Sequence, residues 1–307
     1  MSLRLDSRAF IRTDVSLQSF STFKIGGAAR FLAEPTTRDE LFQSLEFARS
    51  EGLDCVAIGR GSNILFSDDG FNGLLISLRK LEPEWFYREG ETRLRVSGGM
   101  SLFRLSIVTQ ELGLSGAEFV CHIPGTVGGA LVMNAGFGRK GGLYQEMKGI
   151  FESCTLVKRN SRLNVERYGM NDIAFDYRKT DLPSDVIVME VEIHLDPKPK
   201  SKIQEEIKAN FAYRNTVQDL RFPSAGSTFK NPKGSTKTSG QLLEAVKMKG
   251  FRIGGAMVSE RHANFFLNVD HATAHDMLEL IGVAQQRVRD QFGIEIEPEI
   301  KLVGFRS

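Results

Sequence analysis

One short segment of the chain brings together several side chains that could do chemistry. Residues 223–232 read PSAGSTFKNP, so the hydroxyl of Ser227, the ammonium of Lys230 and the amide of Asn231 lie within five positions. The prolines at both ends restrict the backbone. These groups suit an active-site loop that meets an anionic ligand, although Ser and Asn are also common in simple turns. A hydrolase is not indicated, because the chain has no GxSxG motif.

A second set of chemical groups lies near the end of the chain. Residues 294–302 read IEIEPEIKL, and this alternation predicts a strand with Glu295, Glu297 and Glu299 on one face. Three carboxylates on one face repel each other and are normally solvated. If the face instead meets a ligand, at least one carboxyl has a raised pKa and can hold a proton at neutral pH.

The histidines give a weaker signal. His271 and His275 have a spacing that can bind a metal, but the carboxylate of an HExxH site is missing, so we expect a solvated helix face and no metal. His122 and His262 lie in glycine-rich or polar segments. Either could touch a ligand, but a hydrogen bond to a backbone carbonyl is the favoured interpretation.

Two glycine-rich segments predict close approach of a ligand to the backbone. Residues 59–63 read GRGSN and join one predicted strand to another. A Rossmann site is excluded, because it needs a glycine and the start of a helix at Ile64. What remains is a turn whose N–H groups can bind phosphate, or a plain inter-strand turn. Residues 122–138 are denser in glycine and favour contact with a flat or phosphorylated ligand, with a mobile loop as the alternative.

Periodicity and capping signals predict the elements that position these groups. The predicted helices cover residues 36–52, 101–113, 239–249 and 273–292, with another starting at residue 201; the predicted strands cover residues 55–58, 74–78, 93–97, 150–158, 163–168 and 186–195. Residues 196–200 read DPKPK and predict a linker, so we place a domain boundary there.

Composition limits the class of protein. The chain has 307 residues, 41% of them hydrophobic, with 40 basic and 38 acidic side chains, so it is not disordered and carries no nucleic-acid footprint. No apolar run approaches the roughly 20 residues of a membrane helix, and acidic and basic residues interrupt the N-terminus. Cys55, Cys121 and Cys154 are too far apart for a disulfide framework or a zinc site. We therefore expect a soluble, cytoplasmic protein of about two domains.

Taken together and in order, the motifs resemble those of the UDP-N-acetylenolpyruvoylglucosamine reductases. The matching segments are residues 21–27 (STFKIGG), 59–63, 123–130 (IPGTVGGA), 133–136 (MNAG), 177–178 (YR), 226–232, 254–256 (GGA), 259–265 (SERHANF) and 297–299 (EPE). The resemblance covers essentially the whole chain. It is similar to the shorter, type II-like subtype, which lacks a substrate-closing loop that carries a tyrosine.

The resemblance implies an α+β fold. Residues 1–195 would form a two-subdomain FAD-binding region of the vanillyl-alcohol oxidase (PCMH) type, with subdomains at about 1–80 and 81–195. Residues 196–307 would form an α+β substrate-binding domain, with a last strand at about 294–303 returning to the FAD region. The FAD would be non-covalent, because Arg60 and Ser62 stand where relatives of this flavin fold carry an attaching histidine or cysteine.

The resemblance also implies an activity in peptidoglycan precursor synthesis. NADPH would reduce the FAD, and the enolpyruvyl ether of UDP-N-acetylglucosamine would then be reduced to UDP-N-acetylmuramate in a ping-pong sequence. The protein would be a cytoplasmic monomer without a nucleic-acid or membrane partner. Two alternatives stay open: another non-covalent FAD oxidoreductase of the same fold, and a non-catalytic nucleotide-sugar-binding protein.

Motif matches carry over individual roles. Arg178 would hold the substrate carboxylate, Ser227 would donate the proton, and Glu299 would be the catalytic glutamate, chosen over Glu297 on the motif alone. The remaining substrate contacts would be Tyr177, Lys230, Asn231 and Arg214. The cofactor contacts would be Gly59, Arg60, Gly61, Ser62, Asn63, Ile123, Pro124, Gly125, Thr126, Gly128, Gly129 and Asn134.

One departure from the family pattern concerns a cation. Relatives usually carry Lys-Gln-Pro where this chain has Val217-Gln218-Asp219. If that lysine normally contacts diphosphate, then Arg214 or Arg221 must replace it, or substrate binding is weaker.

Overall fold

The computed structural model describes residues 10–139, 144–159 and 164–305. In chain order, the described strands are β1 Ile11–Ser16, β2 Ala28–Ala33, β3 Cys55–Ile58, β4 Ile64–Phe66, β5 Phe71–Ser77, β6 Phe86–Glu89, β7 Arg93–Ser97, β8 Leu114–Ser115, β9 Gly136–Phe137, β10 Gln145–Glu146, β11 Phe151–Lys158, β12 Val165–Gly169, β13 Phe175–Asp176, β14 Lys179–Thr180, β15 Val186–His194, β16 Asp196–Pro197, β17 Arg252–Ile253, β18 Ala256–Val258, β19 Phe266–Asn268 and β20 Lys301–Val303. The α-helices are α1 Arg38–Ser50, α2 Leu102–Leu112, α3 Val127–Val132, α4 Lys200–Val217, α5 Ser239–Ala245 and α6 Ala274–Phe292. The predicted α+β class is confirmed.

The chain divides into two compact units, each built from discontinuous segments. The first unit is Met1–Arg12, Leu32–Arg60 and Gly73–Arg214, and the second is Thr13–Phe31, Gly61–Asn72 and Asn215–Ser307. These divisions fall at other residues than the boundary predicted near residue 196. The compact units reflect contacts within the chain, whereas the predicted domains are defined by the ligands that they bind. The assignment of FAD to residues 1–195 and of the substrate to residues 196–307 therefore stays a prediction.

A five-stranded antiparallel sheet forms the centre of the first unit. Its strand order is β12-β11-β15-β7-β6, and β15 is the most buried strand. Helix α3 packs against β15 and β7, while α2 packs against α3. The core between these layers includes Leu94, Val96, Leu105, Val108, Leu131 and Val191. The apolar alternation that predicts the strands therefore places one face of the sheet under helices.

Capping side chains set the helix ends that the sequence predicts. The Oγ1 of Thr37 accepts a hydrogen bond from the N–H of Glu40 at 3.2 Å, and the Oγ of Ser101 accepts one from the N–H of Arg104 at 3.1 Å. Helix α2 ends at Gly113, which adopts a left-handed φ of 70°. Such a residue closes a helix because glycine has no Cβ to clash there. Strand β3, predicted at residues 55–58, is confirmed and pairs in parallel with β5.

The second unit places a small antiparallel sheet beside two helices. Its strand order is β17-β18-β19, and helix α6 contacts β17, β18 and α5. Thr273 and Asp276 form a capping box at the start of α6, and Gly293 ends the helix, as predicted. Strand β20 pairs in parallel with β4. The core of this unit includes Phe23, Phe229, Leu242, Phe266, Met277 and Val288.

The predicted strand over residues 294–302 is wrong for most of its length. Among the described residues of this segment, only Lys301–Val303 forms a strand, and the earlier part contributes a single antiparallel bridge, between Pro298 and Phe229. Glu295 pairs with Arg289, whereas Glu297 pairs with Lys230. Glu295 and Glu297 therefore have different cationic partners, and a shared face for the three glutamates stays a prediction.

Within the described part of the chain, none of the helices combines the length and apolar character needed to cross a bilayer.

Candidate functional site

The first glycine turn connects β3 to β4 and tolerates no side chain at two positions. In the first unit, a Cβ on Gly59 would lie 2.3 Å from the Oγ1 of Thr126. In the second unit, a Cβ on Gly61 would lie 1.8 Å from the carbonyl oxygen of Phe20, and Gly61 has a φ of +64°. Gly61 is therefore required by the backbone path itself, whereas Gly59 leaves room for the side chain of Thr126.

The hydrogen bonds of this turn suit an anion. The Gly61 carbonyl accepts from the N–H of Thr22 at 3.2 Å, and the Asn63 carbonyl accepts from the N–H of Lys301 at 2.9 Å. Among the described residues, no protein acceptor is recorded for the N–H groups of Arg60, Gly61 and Ser62. The carbonyls are thus fixed by protein while successive N–H groups remain for a ligand, which is how backbone turns bind phosphate.

The second glycine segment is held in place by backbone hydrogen bonds. The Gly125 carbonyl accepts from Leu102, and the N–H of Gly128 donates to Gly98 at 2.9 Å. A Cβ on Gly128 would lie 3.1 Å from the Val188 carbonyl oxygen, so this glycine lets α3 pack on β15. The mobile-loop interpretation does not fit these bonds. Gly128 is therefore needed for the packing of α3 on β15, a role that the sequence did not indicate.

Three predicted cofactor contacts surround the start of this helix. Thr126 is the N-cap of α3, and its Oγ1 accepts from the N–H of Gly129 at 3.4 Å. Ile123 donates its N–H to the Val120 carbonyl at 3.0 Å. Pro124 lies between Ile123 and Gly125 in the same turn. These contacts order the segment, and its contact with FAD stays a prediction.

His122, at the start of that segment, is buried. Its side chain packs edge-on against Phe137, with ring centroids 4.0 Å apart, and the residue is 5% exposed. Among the residues that the structure describes, neither ring nitrogen has a hydrogen-bond partner. Burial, together with the charge of Arg214, lowers the pKa of His122 to about 4. The favoured interpretation, a bond to a backbone carbonyl, is wrong here, and the neutral ring remains able to bond a ligand or a water.

Asn134 acts as an internal clamp. It is fully buried; its Nδ2 donates to the Asp176 carbonyl at 3.1 Å, and its Oδ1 accepts from the N–H of Lys148 at 3.0 Å. Asp176 belongs to the β13–β14 hairpin, whose two-residue turn carries Tyr177 and Arg178. The side chain of Asn134 therefore holds that turn, and its predicted contact with flavin stays a prediction.

Arg178 is held by neighbours that the sequence did not indicate. Its backbone has a φ of 55°. Its Nη1 donates to the Oη of Tyr144 at 2.7 Å, and its Nη2 donates to the Gly136 carbonyl at 3.0 Å. The guanidinium also lies 5.1 Å from the ring centroid of Tyr177. Tyr144 is a lone tyrosine without a motif, so no sequence signal could have found it.

In the second unit, Asn264 binds the serine segment on one side. The N–H of Phe229 donates to the Oδ1 of Asn264 at 2.9 Å, and the Nδ2 of Asn264 donates back to the Phe229 carbonyl at 2.8 Å. The N–H of Thr228 donates to the Asn264 carbonyl at 2.8 Å. Asn264 received no predicted role. Its signal was its place in the matching segment 259–265 (SERHANF), which by itself assigns no role to the amide.

The glutamate segment binds the other side of the serine segment. The N–H of Lys230 donates to the Glu297 carbonyl at 2.9 Å, and the N–H of Glu299 donates to the Thr228 carbonyl at 2.8 Å. The Nδ2 of Asn63 donates to the Glu299 carbonyl at 3.0 Å. One backbone network thus joins three motifs that are far apart in the sequence.

Ser227 and the two glutamates differ in how they are engaged. No hydrogen-bond partner is recorded for the Oγ of half-buried Ser227 among the described residues. Glu297 is 72% exposed and its Oε1 pairs with the Nζ of Lys230 at 2.6 Å. Glu299 is half-buried and anchored through its backbone. This geometry favours Glu299 over Glu297 as the catalytic carboxyl, a choice that stays a prediction.

Two predicted substrate residues also have structural contacts. The Oδ1 of Asn231 accepts from the N–H of Ser239 at 3.0 Å, at the start of α5. Burial lowers the pKa of Arg214, a residue of α4 in the first unit. Both assignments as substrate contacts stay predictions.

Arg221, one candidate to replace the missing lysine, already has a partner. Its Nε and Nη2 donate to the two carboxylate oxygens of Asp219, each at 2.9 Å. The hydrogen bond from Arg221 holds the pKa of this fully buried Asp219 far below its usual range. Because Arg221 is committed to Asp219, it is less available for a ligand, and the replacement of the missing lysine by Arg214 or Arg221 stays a prediction.

Comparisons with known proteins agree over nearly the whole chain. Residues 29–164 match the family described as an FAD binding domain, and residues 218–303 match the C-terminal domain of UDP-N-acetylenolpyruvoylglucosamine reductase. Two reductases of that name, from Synechococcus sp. and Pelobacter propionicus, are 37% and 36% identical; the alignments cover 97% and 98% of this chain and 94% and 98% of theirs. The crystal structure of the reductase from Thermus caldophilus is 31% identical with a TM-score of 0.77, covering 96% of this chain and 100% of that chain.

Proposed function

Because the chain belongs to the UDP-N-acetylenolpyruvoylglucosamine reductase family, we propose that it uses NADPH and bound FAD to reduce UDP-N-acetylglucosamine enolpyruvate to UDP-N-acetylmuramate. The observation that carries the proposal is the near full-length similarity to reductases. The backbone network that joins the segments of Ser227, Glu299 and Asn63 supports it. In another flavin oxidase of the same fold, the motifs at residues 226–232 and 297–299 would be unexplained.

The residues present fit a non-covalent flavin dinucleotide. The N–H groups of Arg60, Gly61 and Ser62 would bind the pyrophosphate, since they have no recorded protein acceptor among the described residues. When bound, FAD supplies the hydride chemistry, while the protein orients it and stabilises charge. NADPH would donate its hydride and leave before the sugar binds, which gives ping-pong kinetics.

Arg178 would hold the carboxylate of the enolpyruvyl group. Hydride added to the terminal vinyl carbon puts negative charge on the adjacent carbon, delocalised into this carboxylate. A fixed guanidinium stabilises that charge at any working pH. Lys230 and Asn231 would meet the sugar nucleotide as a cation and an amide donor.

Ser227 would donate a proton to the adjacent carbon of the substrate, where the negative charge develops after hydride addition. An alcohol is a weak acid, but the developing carbanion is a strong base, so the transfer works when the geometry is held. Glu299 would assist if it is protonated or shares a proton with the substrate. The reaction needs NADPH and a UDP-sugar, so we also propose that the protein works in the cytoplasm, as a monomer that size-exclusion chromatography can test.

The test is an assay of the purified protein. We expect a yellow protein that releases FAD on denaturation and consumes NADPH only when UDP-N-acetylglucosamine enolpyruvate is supplied. NADPH consumption without the sugar would instead indicate another FAD oxidoreductase. Binding of the sugar nucleotide without any flavin would indicate a non-catalytic binding protein.

A further inference from the structure

We propose that Tyr144 is a positioning residue that fixes the guanidinium of Arg178 where substrate charge develops. This inference rests on the proposed function, in which Arg178 binds the substrate carboxylate. The direct observation is the 2.7 Å hydrogen bond from the Nη1 of Arg178 to the Oη of Tyr144. A hydrogen bond from a charged donor is stronger than one between neutral groups.

One hairpin supplies two of the groups that hold Arg178. Strands β9 and β10 pair Gly136 with Glu146 and Phe137 with Gln145. The Gly136 carbonyl accepts from the Nη2 of Arg178 at 3.0 Å, while Tyr144, next to Gln145, accepts from Nη1. Two acceptors from one hairpin fix both the direction and the rotation of the planar guanidinium.

The packing around Gly136 indicates that this arrangement is built in. A Cβ on Gly136 would lie 2.6 Å from the Gln145 carbonyl oxygen and 2.9 Å from the Oη of Tyr144. A side chain at position 136 would therefore push the phenol away from Arg178. Tyr144 is itself 47% exposed, so burial of an apolar ring does not explain its position.

The two hydrogen bonds to Tyr144 and Gly136 orient the guanidinium of Arg178 without themselves bringing a negative charge to it, because a phenol and a backbone carbonyl are neutral acceptors.

The test compares Tyr144→Phe with the wild-type holoenzyme in the two half-reactions. We expect reoxidation of the reduced flavin by the enolpyruvyl sugar to slow by about 10- to 100-fold, the effect of losing one hydrogen bond to a charged group. The limiting rate should fall more than the half-saturating sugar concentration rises, because the charge remains but is no longer held in place. Flavin reduction by NADPH should stay within about 2-fold.

A matched control and a double-mutant cycle separate positioning from a structural role. Tyr168→Phe removes a similar bond, from the Oη of Tyr168 to the Oε2 of Glu166 at 3.0 Å, and should leave both half-reactions unchanged. In an Arg178→Lys background, Tyr144→Phe should have almost no further effect, because its target is gone. An equal slowing in both backgrounds would overturn the inference.

A second measurement does not need the substrate. In ¹⁵N-arginine spectra of the holoenzyme, rotation of the Arg178 guanidinium should be slow in the wild type and faster in Tyr144→Phe. Unchanged rotation would overturn the positioning role. If the wild-type protein fails to reduce the sugar, only the proposed function fails, since the arginine spectra still decide the role of Tyr144.

Discussion

At the scale of single residues, the candidate groups differ in whether another side chain of the protein already binds them. The Oγ of Ser227 has no recorded partner among the described residues, whereas Glu297 and Arg221 are bound to Lys230 and Asp219. An acid or cation that already serves a neighbour is less able to serve a ligand. This difference selects Ser227 as the group whose removal should be most specific.

We predict that Ser227→Ala affects one half-reaction only. Flavin reduction by NADPH should stay near the wild-type rate, while reoxidation by the enolpyruvyl sugar should slow about 10²- to 10⁴-fold, the usual contribution of general acid catalysis. Stopped-flow absorbance of the flavin measures both steps. Ser201→Ala, at an exposed position of α4, should change neither. Equal slowing of the two half-reactions would show that Ser227 is not the proton donor.

We predict that His122 makes the protein less stable in acid. The folded-state pKa is lowered from 6.5 to about 4, so between these values the unfolded chain binds a proton that the folded protein does not. Stability should therefore fall as pH drops through this window, by at most about 3 to 4 kcal/mol. Urea unfolding at several pH values measures it. His122→Phe should flatten this part of the pH dependence, and an unchanged slope would contradict the assignment.

At the scale of elements, one hairpin turn and one extended segment position candidate residues. Asn134 fixes the β13–β14 turn in the first unit, and Asn264 fixes the serine segment in the second. Both are buried amides that satisfy backbone groups outside regular ladders. An amide can do this because it both donates and accepts.

We predict that Asn264→Ala destabilises the protein by about 2 to 4 kcal/mol, since buried partners of Asn264 lose their hydrogen bonds. The N–H and carbonyl of Phe229 are those partners. Denaturant titration measures the loss. Asn72→Ala, at an exposed position of β5, should stay within about 0.5 kcal/mol of wild type. If both variants unfold alike, the serine segment is held by other contacts.

At the scale of the whole molecule, each compact unit is assembled from segments distant in the sequence. The N–H groups of Arg60, Gly61 and Ser62 have no recorded protein acceptor among the described residues. FAD should bind them only in the folded protein, so FAD binding should stabilise the folded state. We predict that free FAD at one hundred times its Kd stabilises the apoprotein by about 2.7 kcal/mol. Thermal unfolding of apoprotein with and without FAD tests this, with riboflavin, which lacks the pyrophosphate, as the weaker control. Equal shifts from both ligands would argue against a pyrophosphate site.

The sequence by itself determined the local structure and the order of the motifs. Thr37, Ser101 and Thr273 cap their helices, and Gly113 and Gly293 end theirs, because capping acts within a few residues. The motifs, taken in order, were sufficient to indicate the family.

Only the tertiary structure decided which side chains meet. Tyr144 meets Arg178 across 34 positions, and Asn264 meets Phe229 across 35. The alternation in residues 294–302 predicted one strand, but only Lys301–Val303 forms one, and the segment before it bonds to the backbone of Thr228 and Lys230. The physical reason is range: propensity and periodicity act along neighbouring residues, whereas these contacts depend on how distant segments pack.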